Sequence, residues 1–243
     1  KNDSAVPLIP DSLNIGKVTS DDGHVTIYCW NIQQNNGDNY YSAIITRDNS
    51  IVTPLPTQKS FVSVLHDRIF KSGEWPSGLF YKIISKKNKG QTTYTLLSWD
   101  RFNSTTARKS IEWLSFDSNG QPVFGAPVFK SKDGISHRIV YEYSAQASFT
   151  MNYSRQKVTL SGVRRSQRNV DDNMIVVDRL ISLNENLQGQ NWAMVPAGNV
   201  YDAFIFLDGF WVYTENIIAR NPAQEKKPQT KPNRPQQGLF PSK

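Results

Sequence analysis

Two nearly unbroken runs of aromatic and β-branched residues most constrain this chain: Leu79-Phe80-Tyr81-Lys82-Ile83-Ile84 and Tyr94-Thr95-Leu96-Leu97-Ser98-Trp99, separated by a polar break at Lys86-Lys87-Asn88-Lys89-Gly90. Such runs flanking a short polar turn with a glycine predict a β-hairpin. Neither run alternates cleanly between apolar and polar, so the hairpin is expected near the middle of a sheet with both faces largely covered.

The remaining sequence extends this β reading. His24 to Ile32 alternates, Asn35-Asn36-Gly37-Asp38 is a turn signal, and Tyr40 to Thr46 completes a first hairpin. A short strand is expected at Ile51 to Thr53, ending where Pro54 and Pro56 interrupt pairing. Phe61, Leu65 and Ile69 fall at helical spacing, which predicts one short helix over Thr57 to Phe70. Further strands are expected at Ser110–Phe116, Val123–Phe129 and Arg138–Tyr143. In the last of these Ile139, Tyr141 and Tyr143 share one face and Arg138, Val140 and Glu142 the other. Ser148–Tyr153 and Lys157–Gly162 are read as strands joined by a turn at Ser154-Arg155-Gln156, followed by a strand at Met174–Leu180. Tyr201–Leu207 and Phe210–Thr214 pair around Asp208-Gly209, a dipeptide suited to a tight hairpin turn. The fold class is therefore mainly β, an antiparallel meander or sandwich-like sheet domain with one short helix. Residues 1–20 are expected as an extended arm, 21–218 as a single β-rich domain and 219–243 as a Pro/Lys/Gln-rich tail.

Aromatic residues make up 12% of the chain, which suits sheet packing better than a helical bundle. The formal charge is +7. From Ala219 onward there are 6 basic residues and 1 acidic one; the preceding body holds 22 basic and 20 acidic residues, a net of +2. A body so nearly balanced argues against a surface that tracks phosphates, so nucleic acid is not an expected partner. Five of the 13 prolines (Pro222, Pro228, Pro232, Pro235 and Pro241) lie in the tail. That composition favours extended, polyproline-like conformations over a core of its own. A protein partner is expected to engage Pro232, Pro235, Leu239, Phe240 and Pro241. No apolar run is long enough for a helical membrane span, and the membrane association expected is one through the partner. The start at Lys1, without Met or a signal segment, fits a processed mature form or a trimmed chain equally.

The chemistry-bearing residues are few. Cys29 is the only cysteine and reads as a buried apolar residue. His24, His66 and His137 have no metal-ligand spacing, and no nucleotide or nucleophile-elbow motif occurs, so neither a metal nor a cofactor is expected. Asp100, Glu142, Asp178 and Asp202 are the carboxylates that could converge as a glycosidase-like pair, although aspartates flanking strands are more often turn formers. Trp99, Trp113 and Trp211 lie in expected strands and read as core. Trp75 and Trp192, near Gly and Pro or in a loop, read as candidates for stacking on a sugar or partner.

The stretches Phe80–Ile84, Tyr94–Asp100, Leu114–Phe129, Arg138–Ala147 and Tyr201–Phe204 together resemble a family of uncharacterised, exported β-rich proteins of Bacteroidota, over roughly residues 75 to 215. The resemblance implies an exported protein, periplasmic or associated with the outer membrane, and carries no activity or cofactor with it. Where similar sequences show Asp-His-Leu, this chain reads Asp178-Arg179-Leu180. The Arg164 region and the tail look like additions. The function expected from these readings is a non-catalytic structural or interaction component of a bacterial envelope assembly, docking through its tail; the alternative is a secreted carbohydrate-binding or glycan-hydrolysing protein.

Overall fold

The computed structural model describes residues 15–48, 51–60, 66–71, 73–88, 90–160 and 168–218. Three β-sheets are stacked as layers. The outer sheet A is a four-stranded antiparallel meander, β1 (Gly16–Thr19), β2 (Val25–Gln33), β3 (Asn39–Arg47) and β4 (Ile51–Lys59). The middle sheet B has the order β11-β7-β6-β5, from β5 (Leu79–Asn88), β6 (Gln91–Asp100), β7 (Thr106–Phe116) and β11 (Arg138–Ser144), with β8 (Pro122–Phe124) also pairing with β7. The other outer sheet, C, has the order β10-β9-β15-β14-β13-β12. It comprises β9 (Phe129–Ser131), β10 (Gly134–Ser136), β12 (Met151–Thr159), β13 (Asn169–Ser182), β14 (Met194–Leu207) and β15 (Phe210–Ile217). Every pairing is antiparallel except that of β15 with β9. The chain is thus mainly β, as its sequence predicts.

The middle position of sheet B explains its unbroken apolar runs, because both of its faces are covered. Phe80, Ile83, Leu96 and Leu114 pack towards sheet A against Val25, Ile27, Tyr41, Ala43 and Ile45. On the opposite face Ile84, Leu97, Ile111 and Trp113 meet Phe129, Ile175, Phe204 and Trp211 of sheet C. Burying each large side chain contributes about 1.5–3 kcal/mol. Within sheet B, β6 lies between two strands as expected, whereas β5 is the hydrogen-bonded edge and is covered by β1.

Several local readings are corrected. Gly16–Thr19, expected as the end of an arm, pair with β2 as an edge strand. β4 runs through Pro54 and Pro56 to Lys59, which is tolerated because it is the edge of sheet A and needs no outward N–H. The helix expected over Thr57 to Phe70 is absent at both described ends. Thr57–Lys59 are strand and Phe70 forms a β-bridge with Phe124, while residues 61–65 lie outside the described residues. The turn expected at Ser154-Arg155-Gln156 is instead the middle of the continuous strand β12. The Asp208-Gly209 turn forms as expected, with φ of 49° and 87° at its two residues, the left-handed pair that matches hairpin twist.

A buried ion pair is built into the face of sheet B that looks towards sheet A. Arg138 and Glu112 are directly opposite in the β11–β7 register, with Arg138 Nε donating to Glu112 Oε1 at 2.6 Å, and both are almost completely buried. Arg138 Nη1 also donates to the Arg68 carbonyl at 2.7 Å, and its guanidinium lies 4.4 Å from the centre of the Phe70 ring. Gly125, with φ of 93°, permits this crowding, since a Cβ there would come within 2.8 Å of the Arg68 oxygen and 2.9 Å of Arg138 Nη2.

Candidate functional site

The four candidate carboxylates do not gather at one site: Asp100 and Glu142 share one face of sheet B, whereas Asp178 and Asp202 belong to sheet C. Asp100 and Glu142 lie on sheet B on either side of Arg108, which is opposite both in the registers of β6 and β11. Arg108 Nε donates to Glu142 Oε2 at 2.9 Å, and the Thr106 hydroxyl donates to Glu142 Oε1 at 2.9 Å. Asp202 sits where β14 and β15 shift register. It accepts hydrogen bonds from Tyr213 Oη at 2.7 Å, from the Asn216 backbone N–H at 3.0 Å and from the Arg179 guanidinium. Asp178 accepts from the Thr150 backbone N–H at 2.6 Å. These contacts hold strands in register.

Asp100 carries the most unusual electrostatics of the four. Burial pushes its carboxyl up to about 6, with nearby Ser60 and Arg108 pulling the other way, and its Oδ1 completes no hydrogen bond among the described residues. Because the folded-state pKa exceeds the ordinary carboxylate value, the native state binds more protons between about pH 4 and pH 6, and stability falls as pH rises through that window. Asp100→Asn is therefore expected to match the wild type near pH 3.5 and to exceed it by about 2–3 kcal/mol at pH 8, where the charge is fully formed. Urea unfolding at the two pH values checks this; an equal loss at both would show that the carboxylate is needed for the fold.

The histidines are dispersed. His24 Nδ1 lies 2.6 Å from Asp48 Oδ1 at the surface, where that hydrogen bond and the Asp48 charge raise its pKa. His66 and His137 are joined through the backbone, His137 N–H donating to the His66 carbonyl at 2.7 Å. No cluster of three metal-ligating side chains occurs among the described residues. Cys29 is buried, and burial pushes its thiol up to about 11.

Of the two tryptophans expected to be exposed, Trp192 is 46% exposed within the 3-10 turn Asn191–Ala193. Trp75 is corrected: it is fully buried, its indole N–H donates to the Pro56 carbonyl at 2.9 Å, and its ring packs on Phe80. The neighbouring Gly and Pro do not expose it, because the segment before β5 folds over the core shared by sheets A and B. The partner-binding residues expected in the tail, Pro232, Pro235, Leu239, Phe240 and Pro241, lie outside the described residues.

An open cleft of about 470 Å³ forms where sheet B meets the start of β12. Tyr81, Trp99, Lys109 and Tyr143 line it from sheet B; Phe149 and Asn152 line it from the β11–β12 connection and β12. Tyr143 and Phe149 are buried with ring centres 4.9 Å apart, while Tyr81 and Trp99 are partly exposed. The Lys109 ammonium lies 5.6 Å from the Tyr81 ring centre and 5.8 Å from that of Phe149. Burial lowers its pKa, with the Asp178 charge opposing. Lys109 makes no ion pair with a carboxylate among the described residues. A half-buried cation between aromatic rings, at the mouth of a cleft within the size range of small-ligand sites, can take an anionic group on a ligand with an apolar face. Sequence reading missed the cleft because its residues come from four separate segments. The local signal was Lys109 itself, a lysine on the same strand face as Ala107 and Ile111.

No helix among the described residues is long and apolar enough to cross a membrane. Comparison with protein-family models, with curated proteins and with solved structures gives no match.

Proposed function

We propose that this protein is a non-catalytic interaction component of a bacterial envelope, its stacked sheets acting as a rigid block and its Pro-rich tail docking to a protein partner. The observation that carries the non-catalytic part is the fate of the carboxylates. Glu142, Asp178 and Asp202 are engaged in contacts that set strand register, and Asp100 is buried across Arg108 from Glu142, so each is committed to the fold. The envelope location rests on the resemblance of residues 75 to 215 to exported Bacteroidota proteins. The docking role of Leu239 and Phe240 rests on the composition of the tail, because a Pro-rich composition favours conformations that lose less entropy on binding than a flexible coil. Pull-down from envelope extract with the whole chain and with a chain lacking residues 221–243 is expected to recover a partner only with the former; equal recovery overturns the docking role. Hydrolysis of a glycan panel that is lost in Asp100→Asn or Asp202→Asn would overturn the non-catalytic reading.

The cleft favours a second reading, carbohydrate binding. The partly exposed aromatic residues Tyr81 and Trp99, lining the cleft with the polar side chains of Ser148 and Asn152, combine apolar and hydrogen-bonding groups. Oligosaccharides are then expected to change Trp fluorescence, and silence across a glycan array with unchanged fluorescence removes this reading.

A further inference from the structure

We infer that the cleft between sheet B and the start of β12 binds a sugar residue bearing a carboxylate, a uronic acid within an acidic glycan, with Lys109 as its counter-ion. This rests on the carbohydrate-binding reading and adds the class of sugar. The argument starts from Lys109. Its ammonium is drawn in among aromatic rings, over Tyr81 and Phe149, with no carboxylate paired to it among the described residues. Partly desolvated cations of this kind bind anions more strongly than fully hydrated surface lysines do, because less water has to be displaced.

The charge count narrows the ligand. One ammonium balances one carboxylate, whereas a dianionic phosphate calls for several cations or a cradle of backbone N–H groups. Among the described residues that line the cleft, Lys109 is the only cation. The apolar part of the ligand has side chains to pack on, since Tyr81 is 40% exposed and Trp99 is partly exposed at the cleft. Ser148 and Asn152, exposed at the same opening, supply hydroxyl and amide groups to match ring hydroxyls.

An acidic peptide is the competing occupant, because β12 is the edge of sheet C and an extended peptide could add to it. At the cleft that edge is already engaged. Tyr81 Oη donates to the Met151 carbonyl at 3.1 Å. Strand addition would have to break this bond, and a sugar would not.

The test uses the whole chain and three probes: a tetraglucuronate, the neutral tetraglucose of the same linkage and tetraglutamate. Binding is followed by Trp fluorescence and calorimetry. The wild type is expected to bind tetraglucuronate at least about tenfold more tightly than tetraglucose, the factor that one charged hydrogen bond supplies. Lys109→Met, which keeps an unbranched apolar stem over Tyr81 and Phe149, is expected to abolish that preference while leaving the thermal midpoint close to wild type; Lys109→Arg is expected to retain it. Equal affinity for the two sugars overturns the role of Lys109 and leaves carbohydrate binding standing. Absence of any response to either sugar overturns both. Tighter binding of tetraglutamate than of tetraglucuronate assigns the cleft to peptides and overturns the sugar class. The wild-type ratio decides the matter even if a variant fails to fold.

Discussion

Arg138→Met is expected to lower stability by about 3–5 kcal/mol, a shift of roughly ten degrees in the unfolding midpoint for a chain of this size. The substitution leaves Glu112 buried with neither water nor a countercharge, and also removes the bond to the Arg68 carbonyl and the contact with the Phe70 ring. The double variant Arg138→Met/Glu112→Leu is expected to recover most of the loss, because a buried pair contributes little beyond what well-packed apolar groups of similar size would give. Burial already pushes the Glu112 carboxyl up to about 7, and Glu112 Oε2 completes no hydrogen bond among the described residues. Removing the Arg138 charge raises that pKa further. The native single variant then holds this proton to higher pH than the wild type, which releases it near 7, so the deficit grows as pH rises above about 7 and is level from 7 down to 5. Chemical unfolding of the wild type and both variants across that range checks each part. A single-variant cost below about 1 kcal/mol, or a double variant no better than the single, would show that the pair is not what holds β11 to β7.

Trp211→Ala is expected to cost about 3–5 kcal/mol, the range for emptying a large buried aromatic site. Trp211 is fully buried on β15, packs edge-on against Tyr153 and Phe206, and its indole N–H donates to Thr95 Oγ1 on β6 at 2.8 Å. It therefore joins sheet C to sheet B through both packing and a buried hydrogen bond. Trp211→Phe separates the two contributions: it keeps most of the apolar volume and loses the donor, so about 1–2 kcal/mol is expected. Thermal unfolding of the two variants should rank them in that order. The reverse order, or no effect from either, would mean that the two sheets are held together elsewhere.

The elements that could be read from sequence are those whose pattern depends on neighbours along the chain. The Leu79 to Trp99 hairpin, the Asp208-Gly209 turn and the alternation of β11 all follow from period and turn chemistry, and they form as expected. The failures come where tertiary context decides. Pro54 and Pro56 read as a strand end, yet an edge strand tolerates both. Ser154-Arg155-Gln156 reads as a turn, yet pairing with β13 along its whole length keeps it extended. Phe61, Leu65 and Ile69 suggest a helix, but the described residues on either side are strand and β-bridge. One signal was available and unused. Arg108 and Glu112 have the same four-residue spacing and order as Arg138 and Glu142, so an antiparallel register between the two strands places Arg opposite Glu twice. The cleft had no comparable signature, because Tyr81, Trp99, Lys109, Tyr143 and Phe149 are brought together by the stacking of sheets and by no local pattern.

The parallel contact between β9 and β15 has a consequence for synthesis. Phe129–Ser131 leave the ribosome long before Trp211 and Val212, the residues they must pair with. Until β15 has been made, the β9–β10 ribbon has no sheet to join, and the part of the sheet B face covered by Phe129 and Trp211 stays open. Closure of this part of the body is thus a late event that waits for β15, the last described strand. A nascent chain stalled before residue 210 is expected to depend on chaperones and to be readily cut by proteases, whatever the stability of the finished protein.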